Sequence, residues 1–251
     1  MIDIHSHILP GLDDGSRSLE QSVAMVRMAA AAGTTDIVAT PHANHEYRFD
    51  PATVEQKIAE LQAAAGDTIQ IHYGCDFQLT PENIEDAIRR PSKYSINHKG
   101  YLLVEFSDFL IPKTTLEIFA RLIRAGLIPI VTHPERNQIL QSRLPEMAEW
   151  VAEGALVQVT AQSLLGLFGK TVKNAAHELM MNRLVHFLAS DAHDLKHRTT
   201  ALDVTYRYVE STFGAEAAVR ILEENPRAVI TGVALSSVPY ALKKRKFFGL
   251  W

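Results

Sequence analysis

Cysteine, long apolar runs and a surplus of basic charge are all scarce or absent in this 251-residue sequence. A single cysteine excludes an intramolecular disulfide and is typical of a reducing compartment. No apolar run reaches the roughly 18 residues of a membrane span, and the N-terminus has no basic segment leading into an apolar run. We therefore expect a cytoplasmic protein without a membrane span. The net charge of −4 provides no basic field for nucleic acid.

Two catalytic motifs are also missing. A cysteine-dependent tyrosine phosphatase needs an arginine six residues after its cysteine, but Cys75 is followed at that spacing by Pro81. No Gly-x-Ser-x-Gly stretch is present, so the sequence gives no support for a serine hydrolase. We interpret Cys75 as a small core residue.

Seven short apolar runs alternate with segments of helical period along the chain. Several are β-branched and apolar on both faces, which is typical of strands buried in a parallel sheet. The predicted strands are 2–5, 36–39, 69–74, 101–106, 127–131, 155–159 and 184–188. Helices should begin after Ser18, Asp50 and Thr80, since each is a good N-cap residue, and the last two precede a proline. Further helices are predicted near 115–125, 144–153, 170–181, 200–213 and 215–224.

Seven successive strand–helix units without a composition break favour one α/β domain over residues 1–251, built as a parallel barrel. A doubly wound open sheet is the competing architecture, because strand number alone does not separate the two. The chain ends, from about residue 239, in a basic and aromatic tail that contains KKRKFFGLW. We expect a solvated charge run there, with peripheral contact to an anionic membrane surface or a partner as the alternative.

Acidic and imidazole side chains follow six of the seven predicted strands. In parallel barrels the loops after the strands converge on one face, so these side chains should meet there. They are His5, His7, Asp13, Asp14, His42, His45, Asp76, Glu105, His133, Asp191 and His193. Imidazole and carboxylate groups are the ligand types of Zn²⁺, Mn²⁺ and iron sites. The pattern therefore predicts a shared metal site, to which the sixth strand, ending VQVT, contributes no obvious ligand.

The remaining histidines test how selective this pattern is. We interpret His72, His98, His177 and His186 as structural, and His45 and His197 as solvated loop residues beside the site. Asp13 is expected to shape the turn with Gly15.

The stretches DIHSHILPGLDDGS, ATPH, LLVEF, THPER and SDAH, in this order, resemble the PHP (polymerase and histidinol phosphatase) superfamily. Within it, the sequence is similar over nearly its whole length to bacterial metal-dependent protein-tyrosine phosphatases of capsule and exopolysaccharide loci, of the CpsB/CapC type. This resemblance implies a distorted (β/α)7 barrel with a cluster of divalent ions at the strand ends. The ions would be two or three in number and commonly Mn²⁺, with Fe, Zn, Co or Mg as alternatives.

The resemblance also implies a ligand set and two phosphate-positioning arginines. The ligands fall on His5, His7, Asp14, His42, Asp76, Glu105, His133, Asp191 and His193, with Glu105 bridging two ions. Asp76 departs from the usual glutamate by one methylene, which changes the reach of that ligand. Arg136 and Arg198 match the phosphate-positioning residues, and His42 or His193 could assist proton transfer.

The residues are compatible with three functions. The leading hypothesis is a manganese-dependent protein-tyrosine phosphatase that acts on the tyrosine-rich tail of a bacterial tyrosine kinase controlling capsule or exopolysaccharide synthesis. The alternatives are a small-molecule phosphatase, such as a histidinol phosphatase, and a non-catalytic binding module that retains the fold. Nucleic-acid cleavage is disfavoured by the acidic net charge.

Overall fold

Short parallel strands alternate with helices along the chain, as the apolar runs predict. The structure is a computed structural model, and it describes residues 1–235. In this part the strands are β1 Ile2–Ser6, β2 Asp36–Ala39, β3 His42–Ala43, β4 Gln70–Tyr73, β5 Asp76–Gln78, β6 Tyr101–Glu105, β7 Ile128–Thr132, β8 Leu156–Thr160 and β9 Phe187–Ala189. The α-helices are α1 Leu19–Ala31, α2 Pro51–Ala65, α3 Pro81–Arg89, α4 Thr115–Arg124, α5 Leu144–Ala152, α6 Ala161–Leu165, α7 Lys170–Met181, α8 Asp203–Phe213, α9 Ala215–Val219 and α10 Asn225–Thr231. A π-helical turn, Arg220–Glu224, follows α9 directly.

The three predicted helix starts are confirmed at the level of individual hydrogen bonds. The side chains of Ser18, Asp50 and Thr80 accept a hydrogen bond from the backbone N–H three residues further on. Each bond satisfies one of the donors that the first turn of a helix leaves without a partner. The predicted helix over 215–224 is in fact α9 followed by the π-helical turn, and the short helices α6 and α10 were not predicted.

Two short strands that the sequence did not predict, β3 and β5, each follow a predicted strand after a break. A short strand, β3, follows β2 after a break that contains Pro41, which has no N–H to donate. The run predicted at 69–74 forms β4 over residues 70–73, and Gly74, which follows it, lies too close to β2 to carry a side chain. A Cβ at Gly74 would be 2.7 Å from Val38 Cγ1 and 3.0 Å from Thr40 Cγ2. The continuations β3 and β5 pair with each other, and His42 lies opposite Asp76 in their register.

The strands form two parallel sheets. One has the order β1-β2-β4 and the other the order β3-β5-β6-β7-β8-β9. Both orders follow the chain without the reversal that defines a doubly wound sheet, so the structure does not support that alternative. The ladders in residues 1–235 do not close into a complete barrel, and the (β/α)7 barrel stays a prediction.

Backbone contacts join the first strand to the segment after the last one. Ser6 and Ala192 form a parallel bridge. The N–H of Asp191 donates to the carbonyl of His5 at 2.8 Å, and the N–H of His7 donates to the carbonyl of Ala192 at 2.9 Å. The chain segments that carry the first and last predicted ligands are therefore held side by side.

A hydrophobic cluster shared by both sheets lies below the strand ends. Its members are Ile2, Ile4, Val38, Ile96, Tyr101, Leu103, Ile130, Phe187, Ala189, Val229 and Ile230. Residues two apart on a strand face the same side, so Glu105 continues the face of β6 that Leu103 buries in this cluster. The predicted site therefore lies directly beyond an apolar core. No helix in the described residues has both the length and the apolar character needed to cross a membrane.

Candidate metal centre

The two histidines of β1 are placed with their Nε2 atoms together. His5 is the fourth residue of β1 and His7 directly follows the strand, and their Nε2 atoms are 3.3 Å apart. The opposite nitrogen of each ring is held by a polar side chain. His5 Nδ1 lies 2.9 Å from Gln158 Oε1, and His7 Nδ1 lies 2.7 Å from Asp13 Oδ2. With each Nδ1 donating to an oxygen, both Nε2 atoms carry lone pairs directed into the same space.

The pairing of β3 with β5 brings His42 and Asp76 into the same space. His42 Nδ1 is 3.1 Å from Asp76 Oδ2, and Asp76 Oδ2 is 3.6 Å from His5 Nε2. The Asp76 carboxylate is fully buried, yet neither of its oxygens has a hydrogen-bond partner of acceptable geometry. His42 Nδ1 is in the same situation.

Glu105, at the end of β6, lies between two histidines. Its Oε2 is 3.6 Å from His42 Nδ1, and its Oε1 is 3.6 Å from His133 Nε2. Each carboxylate oxygen thus faces a different imidazole. Glu105 could therefore contact two cations at once if both were bound, as the resemblance implies.

Asp14 and the segment after β9 complete the cluster. Asp14 Oδ1 is 3.4 Å from His42 Nε2 and 3.3 Å from His193 Nε2. Asp191 Oδ1 lies 3.5 Å from His5 Nε2 and 3.4 Å from His7 Nε2. All nine predicted ligands therefore lie within one connected cluster.

Opposite charges dominate the electrostatics of the cluster. Burial opposes protonation of His5, but the Asp191 and Asp76 carboxylates raise its pKa to about 9. Burial also opposes ionisation of Asp76, but His5 and His42 hold its pKa well below the usual value. Burial and the charge of Asp76 raise the pKa of Glu105 to about 7. The negative potential that raises the pKa of an imidazole also attracts a metal cation, and protons and cations compete for the same atoms.

The donor set fits divalent cations. Three groups each place three or four ligand atoms within 4.8 Å of one another, and they share members. The groups are His7, Asp14, His42 and His193; His5, His7 and Asp76; and His42, Asp76 and Glu105. A fully buried carboxylate without hydrogen-bond donors is costly unless a cation compensates it. The oxygens of Asp76 and His42 Nδ1, which have no hydrogen-bond partner, therefore fit the ligand atoms of a metal site.

Two arginines border the cluster at Asp191. The Oδ2 atom of Asp191 accepts hydrogen bonds from Arg136 Nη1 and Arg198 Nη2, whereas its Oδ1 faces the histidines. Asp191 therefore joins the ligand cluster to two guanidinium groups. The Arg136 guanidinium also lies 4.7 Å from the ring centroid of Phe168, which restricts its orientation.

Two residues of the centre have a left-handed backbone. The φ angle of His133 is 35° and that of Asp191 is 49°. Non-glycine residues adopt such angles at a cost of about 1–3 kcal/mol, and they concentrate at functional sites. Both residues lie within two positions of a strand end, where the backbone turns the side chain towards the cluster.

Comparisons with known proteins show the family to which the chain belongs. A sequence model described as "Capsular polysaccharide synthesis, CpsB/CapC" matches residues 1–231. The chain belongs to the CpsB/CapC family. The matched range contains every predicted ligand and both arginines.

Relatives of this family align with most or all of the chain. Tyrosine-protein phosphatase YwqE of Bacillus subtilis (strain 168) is 33% identical over 255 residues, covering 100% of both chains. Tyrosine-protein phosphatase CpsB of Streptococcus pneumoniae is 29% identical over 92% of this chain and 98% of its own. A chain from the crystal structures of YwqE and CpsB, described as unique metal-dependent tyrosine phosphatases, superposes with a TM-score of 0.89. It is 32% identical and covers 98% of this chain and 100% of that one.

Several histidines outside the CpsB/CapC centre are structural, as predicted. His72 Nε2 pairs with Asp36 at 2.9 Å, and His98 Nδ1 donates to the carbonyl of Ser92 at 2.8 Å. The Nε2 of His177 lies 2.9 Å from the hydroxyl of Tyr208. The Nδ1 of His186 accepts from the backbone N–H of Val157 at 3.1 Å. His45 and His197 are exposed, and Cys75 is fully buried.

Sequence reasoning missed two residues that orient ligands. Gln158, in the strand that offers no ligand of its own, holds His5, and its only signal was a polar residue alternating within an apolar strand. Asp13 does accept from Gly15 N–H at 3.0 Å, as the turn prediction requires. It also holds His7 and accepts from the backbone N–H of His42 at 3.2 Å.

The predicted tail from about residue 239 lies outside the described residues.

Proposed function

We propose that this chain is a manganese-dependent protein-tyrosine phosphatase whose substrate is the phosphotyrosine tail of a bacterial tyrosine kinase controlling capsule or exopolysaccharide synthesis. The observation that carries the proposal is the convergence of a buried, donor-deficient carboxylate–imidazole cluster with two arginines at Asp191. The names and reactions of the family relatives support the tyrosine phosphatase assignment, and the family description supports the link to capsule synthesis.

The proposal includes the whole-chain architecture. Residues 1–251 form one domain, and its strands form a distorted (β/α)7 barrel. The strictly sequential strand order and the contacts between β1 and the segment after β9 support this architecture. A cytoplasmic location is consistent with a kinase tail as substrate.

The nine clustered side chains hold two or three divalent ions. They are His5, His7, Asp14, His42, Asp76, Glu105, His133, Asp191 and His193. Mixed imidazole and carboxylate donors suit Mn²⁺, and also Fe, Zn, Co or Mg to differing degrees. Such ions supply a strong nucleophile from water near neutral pH and neutralise charge on the phosphoryl oxygens.

The protein's own residues orient the substrate and the ligands. Arg136 and Arg198 bind the non-bridging phosphoryl oxygens through planar guanidinium groups, which can form two parallel hydrogen bonds. Asp191 positions both guanidiniums beside the ligand cluster. Asp13 and Gln158 hold His7 and His5 in the tautomer whose Nε2 can ligate a cation.

The reaction needs little proton transfer to the leaving group. The phenol of tyrosine has a pKa of about 10, so its phenolate leaves with less protonation than an alkoxide needs. Burial and the charge of His7 lower the pKa of His193 to about 4, so this imidazole is neutral at pH 7. A neutral imidazole is a poor proton donor. Of the two predicted groups, His42 is therefore the better candidate for assisting the leaving oxygen, because the Asp14 and Asp76 carboxylates raise its pKa against the effect of burial.

The test compares substrates with and without metal. Chelator-treated protein should be inactive, and Mn²⁺ should restore hydrolysis of a phosphotyrosine peptide more effectively than Fe, Zn, Co or Mg. His7→Ala and Asp191→Ala should lower kcat/KM by orders of magnitude while the far-UV circular dichroism is retained.

A higher kcat/KM for histidinol phosphate than for the phosphotyrosine peptide would establish the small-molecule alternative instead. Failure on every phosphoester, with partner binding intact, would establish the binding module.

A further inference from the structure

A groove of about 810 Å³ adjoins the metal centre on the side of β3 and α3. Ala43 and Tyr47, which follow His42 in the sequence, form part of its lining. The Tyr47 ring lies nearly parallel to the His42 imidazole, with centroids 5.9 Å apart and an interplanar angle of 16°. The groove therefore begins where the ligand cluster ends.

The charge of the groove is opposite to that of the protein. Its lining includes four cationic side chains, Arg48, Arg89, Arg90 and Lys93, and one carboxylate, Asp50. The whole chain, in contrast, has a net charge of −4. A local excess of positive charge on an acidic protein selects for anionic partners at this surface.

Two of the four cations form no ion pair within residues 1–235, although Arg48 lies near Asp50 and Arg89 lies near Glu85. Arg90 and Lys93 both form ion pairs with Asp86, which lies beside the groove. Within residues 1–235, Arg48 and Arg89 form no ion pair, and both side chains are exposed. These two guanidiniums are therefore available to an incoming anion.

Arg48 lies between the groove and the metal centre. It also lines a smaller cavity of about 90 Å³ together with His42 and Pro41. Arg89 lies further out, at the last residue of α3, whereas Asn83 of the same helix is tied to β3 through a 2.8 Å hydrogen bond to the Ala43 carbonyl. From Asn83 to Arg89 the helix rises by about 9 Å. This length corresponds to about three residues of extended peptide.

We propose that this groove binds acidic residues that flank the phosphotyrosine of a peptide substrate, with Arg48 and Arg89 as their partners. The inference rests on the proposed function, because the metal centre must hold the phosphorylated side chain for the flanking residues to reach the groove. Arg48 would contact a carboxylate close to the phosphotyrosine, and Arg89 would contact one further along the peptide. Carboxylates are the natural partners, since a guanidinium donates two parallel hydrogen bonds to them.

Binding of matched peptides tests the groove without relying on catalysis. Two fluorescent peptides carry a non-hydrolysable phosphonate analogue of phosphotyrosine, one flanked by Asp and Glu and the other by Asn and Gln. Fluorescence polarisation should give a Kd about 3- to 10-fold lower for the acidic peptide, as two exposed ion pairs predict. The difference should shrink in 0.5 M NaCl, because salt screens exposed charges.

Variants then assign the preference to the two arginines. The double variant Arg48→Ala/Arg89→Ala should bind both peptides equally, whereas Arg124→Ala, an exposed arginine on α4 outside the groove, should keep the wild-type preference. Hydrolysis of para-nitrophenyl phosphate by Arg124→Ala should also match that of the wild type.

Equal Kd values for the two peptides with wild-type protein would overturn the groove assignment, as would an unchanged preference in the double variant or failure of both peptides to bind. These outcomes are separable from failure of the proposed function. That failure would appear as an absence of metal-dependent phosphotyrosine hydrolysis by the wild-type enzyme.

Discussion

Replacing Asp13 with asparagine tests whether a residue outside the ligand set controls metal binding. The Asp13 carboxylate is 1% exposed and lies 2.7 Å from His7 Nδ1. Burial opposes its ionisation, but the charge of His7 lowers its pKa below the usual value, so Asp13 is charged at neutral pH. It then accepts a hydrogen bond from His7 Nδ1–H, which keeps Nε2 unprotonated and directed towards the cluster.

Asparagine keeps the shape but offers only one acceptor atom. Asp13 uses one oxygen for Gly15 N–H and the other for both His7 and the His42 N–H. In Asp13→Asn an amide NH2 must face one of these donor groups. If it faces His7, the imidazole is driven to the tautomer with a protonated Nε2; otherwise the Gly15 turn loses its bond. Removing a carboxylate that orients a ligating histidine typically costs 10- to 100-fold in metal affinity, or about 1.4–2.7 kcal/mol.

Isothermal titration of metal-free protein with Mn²⁺ measures the effect directly. Activity on an aryl phosphate should fall at limiting Mn²⁺ and recover in part at excess Mn²⁺. The matched control is Asp36→Asn, which disrupts a carboxylate–histidine pair of similar geometry, 2.9 Å from His72 and outside the cluster. Wild-type Mn²⁺ affinity in Asp13→Asn, or an equal loss in Asp36→Asn, would refute the orienting role.

Three further predictions concern the arginines, a close backbone contact and a buried histidine. Arg136→Ala should lower kcat/KM about 100-fold with unchanged metal content by elemental analysis, since one charged donor to the phosphoryl group is lost; wild-type kinetics would contradict its role. Gly15→Ala should lower Tm and metal content, because a Cβ there would lie 2.2 Å from the His7 carbonyl oxygen; an unchanged Tm would show that the loop relaxes. Burial lowers the pKa of His186 to about 4. Between about pH 6.5 and pH 4 the unfolded chain therefore binds a proton that the folded chain does not. The free energy of unfolding should decrease by up to ~3 kcal/mol as the pH is lowered through this range. His186→Asn keeps an acceptor for the Val157 N–H and should flatten this dependence in urea unfolding; identical pH slopes would count against the assignment.

The strand ends, and the clustering of imidazole and carboxylate side chains beyond them, could be predicted because both depend on local pattern. Apolar runs locate the strands, and the parallel arrangement then brings His42, Glu105 and Asp191 to one edge whatever the details of packing. N-cap residues such as Asp50 fix helix starts through contacts three residues apart, which the sequence shows directly.

The rest depends on contacts between distant segments. Gln158 orients His5 across 153 residues, and nothing local to VQVT indicates this role. The need for a glycine at position 74 comes from its close approach to Val38, which is a tertiary contact. Whether the ladders close into a barrel depends likewise on how the first strand meets the last.

The contact between β1 and the segment after β9 affects the order in which the chain can fold. Across 187 residues the N–H of Ser190 donates to the Asp3 carboxylate, within the same pair of segments that carries the first and last ligands. Contacts of such high sequence separation are entropically costly to close and form slowly. A nascent chain that has emerged only as far as β8 lacks Asp191 and His193, so it cannot offer the full ligand set. Two of the three candidate ligand groups lie within residues 1–105, whereas the third needs His193. Completion of the cluster would therefore have to wait until β1 and the segment after β9 have met.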